Sequence, residues 1–209
     1  MLKLLEAHPD VVAGVNFCYR MNPLILDAKH RIRGGEIGTP LLVHGQYLQD
    51  WLLYDTDYNW RIESAYGGPS RCVADIGSHW MDLAQSVLQS RITQVCADIR
   101  TVLPVRKKSL NTVETFSKAA QGPHEEVRVD TEDYAGVLVK FENGVTGIFQ
   151  CSQVSAGRKC NIAIERNGSA GMKHHRWLRK RFCSYRWISA LPIICIRERF
   201  SSHGCRHQP

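Results

Sequence analysis

The residues best suited to chemistry lie in one short segment, Asp75-Ile-Gly-Ser-His79-Trp-Met-Asp82. We predict that a strand turns into a helix here, because Gly77 tolerates a sharp change of direction. A carboxylate such as Asp75 beside the His79 imidazole can fix its tautomer and raise its basicity, which suits proton transfer near neutral pH. Asp75 and His79 are therefore the predicted catalytic residues, and Asp82 lies where it can support them.

Three other interpretations of this segment must be weighed. Asp75 could simply cap a helix while His79 is a buried polar residue. Asp75, His79 and Asp82 could together ligate a metal, since both residue types are common ligands. No second cluster of ligands accompanies them, so we predict no metal site. A nucleophile pair of Ser78 and His79 is disfavoured because adjacent residues point in different directions.

The pattern of apolar residues indicates the elements that position this segment. In the first part of the chain we predict a helix end at 2–7, a buried strand at 11–17, a helix at 22–34 that Asn22 caps, and an extended segment at 37–51 with Leu42, Val43, Tyr47 and Leu48 in the core. An aromatic loop at 54–71, a helix at 78–89, a strand at 92–103 and a mobile insertion at 106–128 follow. The last elements are a hairpin at 134–154, which turns at Asn143-Gly144 with both residues at positive φ, and a strand at 161–166. Such a series predicts an α+β domain with a mainly antiparallel sheet and helices on one face.

The charge is distributed unevenly along the chain. Residues 1–172 contain 18 Lys and Arg against 19 Asp and Glu, whereas residues 173–209 contain nine against one. The tail could be an arm for nucleic acid or another anionic surface. We favour a lost reading frame, since the tail begins in mid-sheet directly after a turn and has no helical or strand period. With a nearly neutral body, we expect no nucleic-acid partner.

Composition also excludes some classes of protein. No apolar run approaches the ~18 residues that a membrane helix needs, and the start of the chain is too quickly charged for a secretory signal. The eight cysteines are scattered without a Cys-x-x-Cys pair, so neither zinc nor a redox dithiol is indicated. We expect no membrane partner and a cytoplasmic location.

Several segments, in this order and spacing, resemble the family of glucose-fructose oxidoreductase, inositol dehydrogenase and MocA-like proteins. They are Val12 to Pro23 with its Arg-x-Asn-Pro element, Gly35-Glu-Ile-Gly38, Asp75-x-Gly-x-His79-x-x-Asp82, and Asp130-Thr-Glu-Asp133 before a strand that leads to a hairpin with Gly144. The resemblance extends from about residue 11 to residue 168. It implies an NAD(P)-dependent oxidoreductase that acts on a sugar or a cyclic polyol.

The resemblance also implies roles for individual residues. His79 would move the proton of the substrate hydroxyl, and Asp75 would bind and orient the substrate. Asn22 would line the substrate cleft, and Trp60-Arg61 would lie beside the nicotinamide of NAD or NADP. From the residues alone, Trp60 and Arg61 could equally be a surface cation–π pair.

The resemblance assigns residues 1–20 to the remnant of a Rossmann domain and residues 21–172 to a C-terminal α/β domain. Neither a Gly-x-Gly-x-x-Gly turn nor the family's Glu-Lys-Pro motif occurs in these 209 residues, so we expect a chain truncated at both ends and inactive in isolation. The alternative function is a non-catalytic binding or assembly module that forms homo-oligomers through the open face of its sheet.

Overall fold

The computed structural model describes residues 2–110, 122–170 and 175–177. Expectations for most of the basic tail therefore lie outside the described residues. The helices are α1 (Leu2–Ala7), α2 (Pro23–Arg33), α3 (Ser64–Gly67) and α4 (Ser78–Leu88), with 3₁₀ turns at Cys18–Met21 and Trp60–Ile62 and a π turn at Val73–Gly77. The strands are β1 (Pro40–Leu48), β2 (Ile92–Arg100), β3 (Val105–Ser109), β4 (His124–Arg128), β5 (Tyr134–Phe141), β6 (Thr146–Ser152), β7 (Asn161–Gly168) and β8 (His175–Trp177).

Six strands form one sheet in the order β2-β5-β6-β1-β7-β8, and β3 and β4 form a separate two-stranded ribbon. In the large sheet β1 and β6 are parallel, and every other neighbouring pair is antiparallel. The prediction of a mainly antiparallel sheet is thus confirmed. Strand β8 lies within the predicted irregular tail, so three of those residues pair with β7 after all.

The core lies between one face of the sheet and α4. Trp80 of α4 is fully buried, stacks on Phe149 of β6 with ring centroids 4.4 Å apart, and donates from Nε1 to the carbonyl oxygen of Ala163 at 2.9 Å. Gly45 of β1 makes this approach possible, because a Cβ there would lie 2.5 Å from Trp80 Nε1 and 2.1 Å from the Ala163 oxygen. Helix α4 is thereby fixed in depth and register on the sheet.

Two predictions about apolar residues are wrong. Residues 11–17 form no strand and are largely exposed, with Val12 at 99%. A strand needs a hydrogen-bonding neighbour, and among the described residues no strand pairs with this segment. Leu42 was predicted in the core with Val43 but is half-exposed, because successive side chains of a strand point to opposite faces.

The hairpin is confirmed, but its turn differs from the prediction. Gly144 has φ +85°, whereas Asn143 is not among the residues at positive φ. The Phe141 N–H donates to the Val145 oxygen at 2.9 Å and closes a three-residue loop. This geometry is typical of a type I turn followed by one left-handed residue, in place of the two that a two-residue turn requires.

The predicted mobile insertion at 106–128 contains the ribbon of β3 and β4, although its residues 111–121 lie outside the described part. Its first residue, Arg106, is fully buried. The guanidinium donates to the backbone oxygens of Leu52 (2.9 Å), Tyr54 (2.8 Å) and Asp57 (2.9 Å). The ribbon therefore holds the start of the aromatic loop, and both ends of the predicted insertion belong to strands.

A buried ion network joins these parts. One oxygen of the Asp133 carboxylate accepts from Arg71 Nη2 at 2.5 Å and from Arg106 Nη2 at 3.0 Å, and all three side chains are excluded from solvent. The other oxygen accepts from the backbone N–H groups of Val102 and Leu103 at 2.8 and 2.9 Å. Since burial disfavours a charge, the pKa of Arg106 lies below its ordinary value despite the attraction of Asp133.

We expect Asp133→Asn to lower the free energy of unfolding by about 3–5 kcal/mol, because it leaves two buried guanidinium groups without a counter-charge. Urea denaturation followed by tryptophan fluorescence measures this change. The matched control is Asp55→Asn, which breaks an exposed pair with Lys107 and should have a much smaller effect. Equal effects of the two substitutions would contradict the assigned importance of the network.

Candidate active site

The segment that carries Asp75 and His79 is one continuous helix, made of the π turn followed by α4. Gly77 has ordinary right-handed helical angles, so the predicted strand-to-helix turn at this residue is wrong. Its lack of a side chain serves packing, because a Cβ there would lie 3.3 Å from Cys151 Sγ of β6. Glycine here allows the helix to lie close to the sheet.

Glu132 caps the start of this helix. Its buried carboxylate accepts from the backbone N–H groups of Arg71 (3.0 Å) and Val73 (2.9 Å) and from Ser70 Oγ (2.8 Å). A negative charge at the first turn satisfies free N–H groups and complements the helix dipole. The cap is therefore Glu132, and Asp75 is left free for another role.

Asp75 lies in the wall of a cleft of about 200 Å³. Its carboxylate oxygen Oδ2 accepts from the side-chain amide of Gln153, 2.8 Å away. No described residue donates to its other oxygen. The residues that line the cleft are Trp60, Arg61, Gly67, Ser70, Arg71, Ala74 and Asp75.

His79, one turn further along, lies among aromatic rings. Phe17 and Tyr19 meet its ring edge-on at centroid distances of 5.4 and 5.3 Å, and Tyr47 lies at 6.3 Å. Its Nδ1 is buried and has no hydrogen-bond partner in the described part of the chain. No hydrogen bond joins it to Asp75 there, so the predicted orientation of His79 by Asp75 is absent from this arrangement.

The two tyrosines beside His79 are linked to each other. Their hydroxyl oxygens are 2.7 Å apart, and burial, followed by the bond to Tyr19, raises the pKa of Tyr47 above its ordinary value. The turn that carries Tyr19 is held to α4 by Arg20, whose guanidinium donates to the Asp82 carboxylate through Nε at 3.0 Å and also through Nη2. Asp82 thus supports the site, as its position suggested.

Trp60 and Arg61 form a pair in the structure. The guanidinium carbon of Arg61 lies 4.8 Å from the centroid of the Trp60 ring, which is a cation–π contact. Both residues also line the cleft that contains Asp75. Asn59 fixes the pair, because its Oδ1 accepts from the backbone N–H and from Nη1 of Arg61 at 3.2 and 3.1 Å.

Asn22 caps α2, as predicted, and lies outside the cleft wall. Its side-chain oxygen accepts from the backbone N–H of Leu24 at 3.0 Å and caps α2, with Pro23 at the first helical position. Neither Asn22 nor His79 is among the residues that line the cleft. The structure thus brings Asp75, Trp60 and Arg61 together and places the other two predicted site residues outside that wall.

Sequence reasoning missed several residues that build the site. Gln153, Arg71 and Arg106 act through contacts with residues distant in the chain, and no local pattern marks them.

Two further findings concern absences in the described part of the chain. It contains no group of three or more His, Cys, Asp or Glu side chains that could hold a metal ion. None of its helices is long and apolar enough to cross a membrane.

Comparison with known proteins identifies related sequences and folds. A family model described as the GFO/IDH/MocA C-terminal domain matches residues 25–173. Levoglucosan dehydrogenase of Pseudarthrobacter phenanthrenivorans is 29% identical over 163 residues, which are 78% of this chain and 41% of that protein. The chain thus spans about two fifths of the length of this relative.

Two solved structures have the same fold. One is an oxidoreductase domain protein from Kribbella flavida, which is 34% identical with a TM-score of 0.64 over 74% of this chain and 39% of that chain. The other is levoglucosan dehydrogenase in complex with NADH and levoglucosan. It is 28% identical with a TM-score of 0.65 over 79% of this chain and 41% of that chain.

We expect Glu132→Ala to lower the free energy of unfolding by about 2 kcal/mol, as loss of a helix cap does at the upper end of its range. The backbone amides of Arg71 and Val73 should exchange with solvent faster, which hydrogen-exchange NMR detects. Cys72 is an internal reference, because its N–H donates to the backbone oxygen of Glu132. Glu126→Ala, at an exposed position of β4, is the matched control; unchanged exchange at Arg71 and Val73 in Glu132→Ala would contradict the cap.

Proposed function

The chain belongs to the GFO/IDH/MocA family, and on that premise we propose that it forms the substrate side of an NAD(P)-dependent dehydrogenase acting on a sugar or cyclic polyol. The observation that carries the proposal is the placement of Asp75. One carboxylate oxygen is held by Gln153 in the wall of a small cleft, and Trp60 and Arg61 lie in the same wall. A carboxylate so held can accept hydrogen bonds from substrate hydroxyls.

The substrate class follows from the cleft and from the relatives. The cleft is smaller than the ~300–1,000 Å³ typical of sites for drug-sized ligands, so it suits a single sugar-sized ring. Its lining combines the carboxylate of Asp75, the hydroxyl of Ser70 and the indole of Trp60. These groups match the hydroxyls and the apolar ring face of a cyclic polyol, and levoglucosan is the substrate that names the curated relative.

The residues fit the reacting end of a nicotinamide cofactor. Trp60 is 50% exposed and offers a flat aromatic surface, and the Arg61 guanidinium lies against it. NAD or NADP, when bound, would accept the hydride from the substrate carbon. No Gly-x-Gly-x-x-Gly turn occurs among the 209 residues, so Trp60 and Arg61 would contact only the nicotinamide end of the cofactor.

In this mechanism the chain must bind the substrate and accept one proton. As the hydroxyl carbon is oxidised, its oxygen loses a proton, and a poised base promotes this step. We assign the proton to His79, which lies one helical turn beyond Asp75 on the same helix and outside the cleft wall, and substrate orientation to Asp75. Asn22 would contact the substrate only if the turn at Cys18–Met21 faces the cleft in the complex.

We expect levoglucosan or myo-inositol to perturb the NMR signals of Trp60 and Arg61 in a saturable way. Asp75→Asn should weaken this binding about 10-fold or more, because a charge-assisted hydrogen bond is lost. The matched control is Asp98→Asn, which changes an exposed carboxylate of β2 that does not line the cleft. If no polyol perturbs the cleft, or if both variants bind alike, the proposed site is wrong.

A second proposal is self-association through the outer face of the sheet. Leu42, Leu138 and Ile148 lie on three adjacent central strands and point away from the helices, each about half-exposed. Leu138 and Ile148 are cross-strand partners. Exposed apolar residues that adjoin one another on a sheet are typical of protein–protein contacts, and a symmetric dimer would cover the same patch on both copies.

We expect the chain to sediment as a dimer or larger oligomer and Ile148→Lys to shift it to monomer, because a charge would be buried at the centre of the contact. Analytical ultracentrifugation measures the change. Leu26→Lys is the matched control, since Leu26 is also about half-exposed but lies on α2, on the helix side. A wild-type monomer, or an Ile148→Lys variant that remains oligomeric, would contradict this proposal.

A further inference from the structure

Gln153 is the one described residue whose side chain donates to Asp75. It lies directly after β6 and is fully buried, whereas Asp75 is partly exposed at the cleft. Its Nε2 lies 2.8 Å from Asp75 Oδ2. The contact links the end of a strand to the π turn, between residues that are 78 positions apart in the chain.

The backbone of Gln153 is fixed on both sides. Its N–H donates to the backbone oxygen of Asp133 at 3.0 Å, and its own oxygen accepts from the N–H of Leu52 at 3.2 Å. Asp133 is also the centre of the buried ion network. A buried side chain on a fixed backbone has few accessible rotamers, so the amide is held where it meets Asp75.

A single amide donor has a defined effect on the carboxylate. It occupies Oδ2 and fixes the rotation of the side chain, and no described residue donates to Oδ1. Because an amide carries no net charge, it does not neutralise Asp75 as a Lys or Arg would. The second oxygen therefore keeps its charge and its lone pairs for a ligand in the cleft.

The other end of the amide supports this assignment. Gln153 Oε1 is buried and has no hydrogen-bond partner in the described part of the chain. A buried acceptor without a partner is costly. The side chain is thus placed so that its nitrogen binds Asp75, although its oxygen is left without a donor. Unsatisfied groups of this kind are expected where function, and not stability, selects the arrangement.

From these observations we infer that Gln153 is a positioning residue, which orients the Asp75 carboxylate toward the polyol. The inference rests on the proposed function, because it assigns Asp75 to substrate binding. The combined length of the Gln153 and Asp75 side chains must then match the distance between their backbones.

A length-exchange experiment tests the inference. Gln153→Asn shortens one side chain by a methylene group, Asp75→Glu lengthens the other by one, and the double variant restores the combined reach. Each single variant should weaken levoglucosan binding, measured by NMR titration of the full chain, by about 10-fold, since one charge-assisted bond is lost or displaced. The double variant should return to within about 3-fold of wild type, a coupling that independent sites do not show.

A ligand-free measurement separates this inference from the proposed function. The side-chain amide protons of Gln153 should lose their protection from exchange in Asp75→Leu, whether or not levoglucosan binds. The matched control is Gln150→Asn, three residues earlier at an exposed position of β6, which should leave affinity unchanged.

The outcomes are distinct. Recovery of affinity in the double variant, with a Gln153 amide that responds to Asp75, supports the positioning role. Levoglucosan binding that is lost in Asp75→Asn but unchanged in Gln153→Asn overturns it while leaving the proposed function intact. If wild type does not bind levoglucosan, the proposed function is wrong. If the exchange protection of the Gln153 side-chain amide is also the same in Asp75→Leu as in wild type, the contact between Gln153 and Asp75 is wrong as well.

Discussion

The arrangement of the site depends on the buried carboxylate of Asp133. Asp133 binds Arg71, which precedes the helix of Asp75 and His79. It also binds Arg106, which holds the loop that leads to Trp60. Its backbone oxygen fixes the position of Gln153. The neighbouring Glu132 caps the same helix, so two consecutive acidic residues set the positions of the cleft's separate walls.

This network serves geometry more than stability. Two guanidinium groups share one carboxylate without access to solvent, and desolvation of buried charges cancels much of their mutual attraction. Burial accordingly lowers the pKa of Arg106, and one nitrogen each of Arg71 and Arg106 has no partner in the described part of the chain. An apolar cluster could stabilise the fold equally well, but it would not fix directions as several convergent hydrogen bonds do.

The sequence was a good guide to elements whose pattern is local. Helix α4 and the β5–β6 hairpin follow from helical spacing, alternation and Asn143-Gly144, and the structure contains both. Prediction failed where the outcome depends on distant partners. The apolar run at 11–17 has the composition of a strand but no neighbour among the described residues, and Arg106 is polar yet buried because three backbone oxygens and Asp133 surround it. The motif was enough to select Asp75 as a candidate, and the structure places it in the cleft wall. No sequence pattern marks Gln153, because its contact with Asp75 depends on the end of β6 lying beside the π turn.

The order of the strands has a consequence for how the molecule folds. Strand β1 is early in the chain, but both of its neighbours come late, since Leu42 faces Thr146 on one side and Asn167 on the other. Such pairings close loops of more than a hundred residues, and the entropy of that closure slows folding. During synthesis β1 must wait, with both edges unpaired, until most of the domain has left the ribosome. Unpaired edges can join other chains, so the nascent chain is most prone to aggregate in this interval.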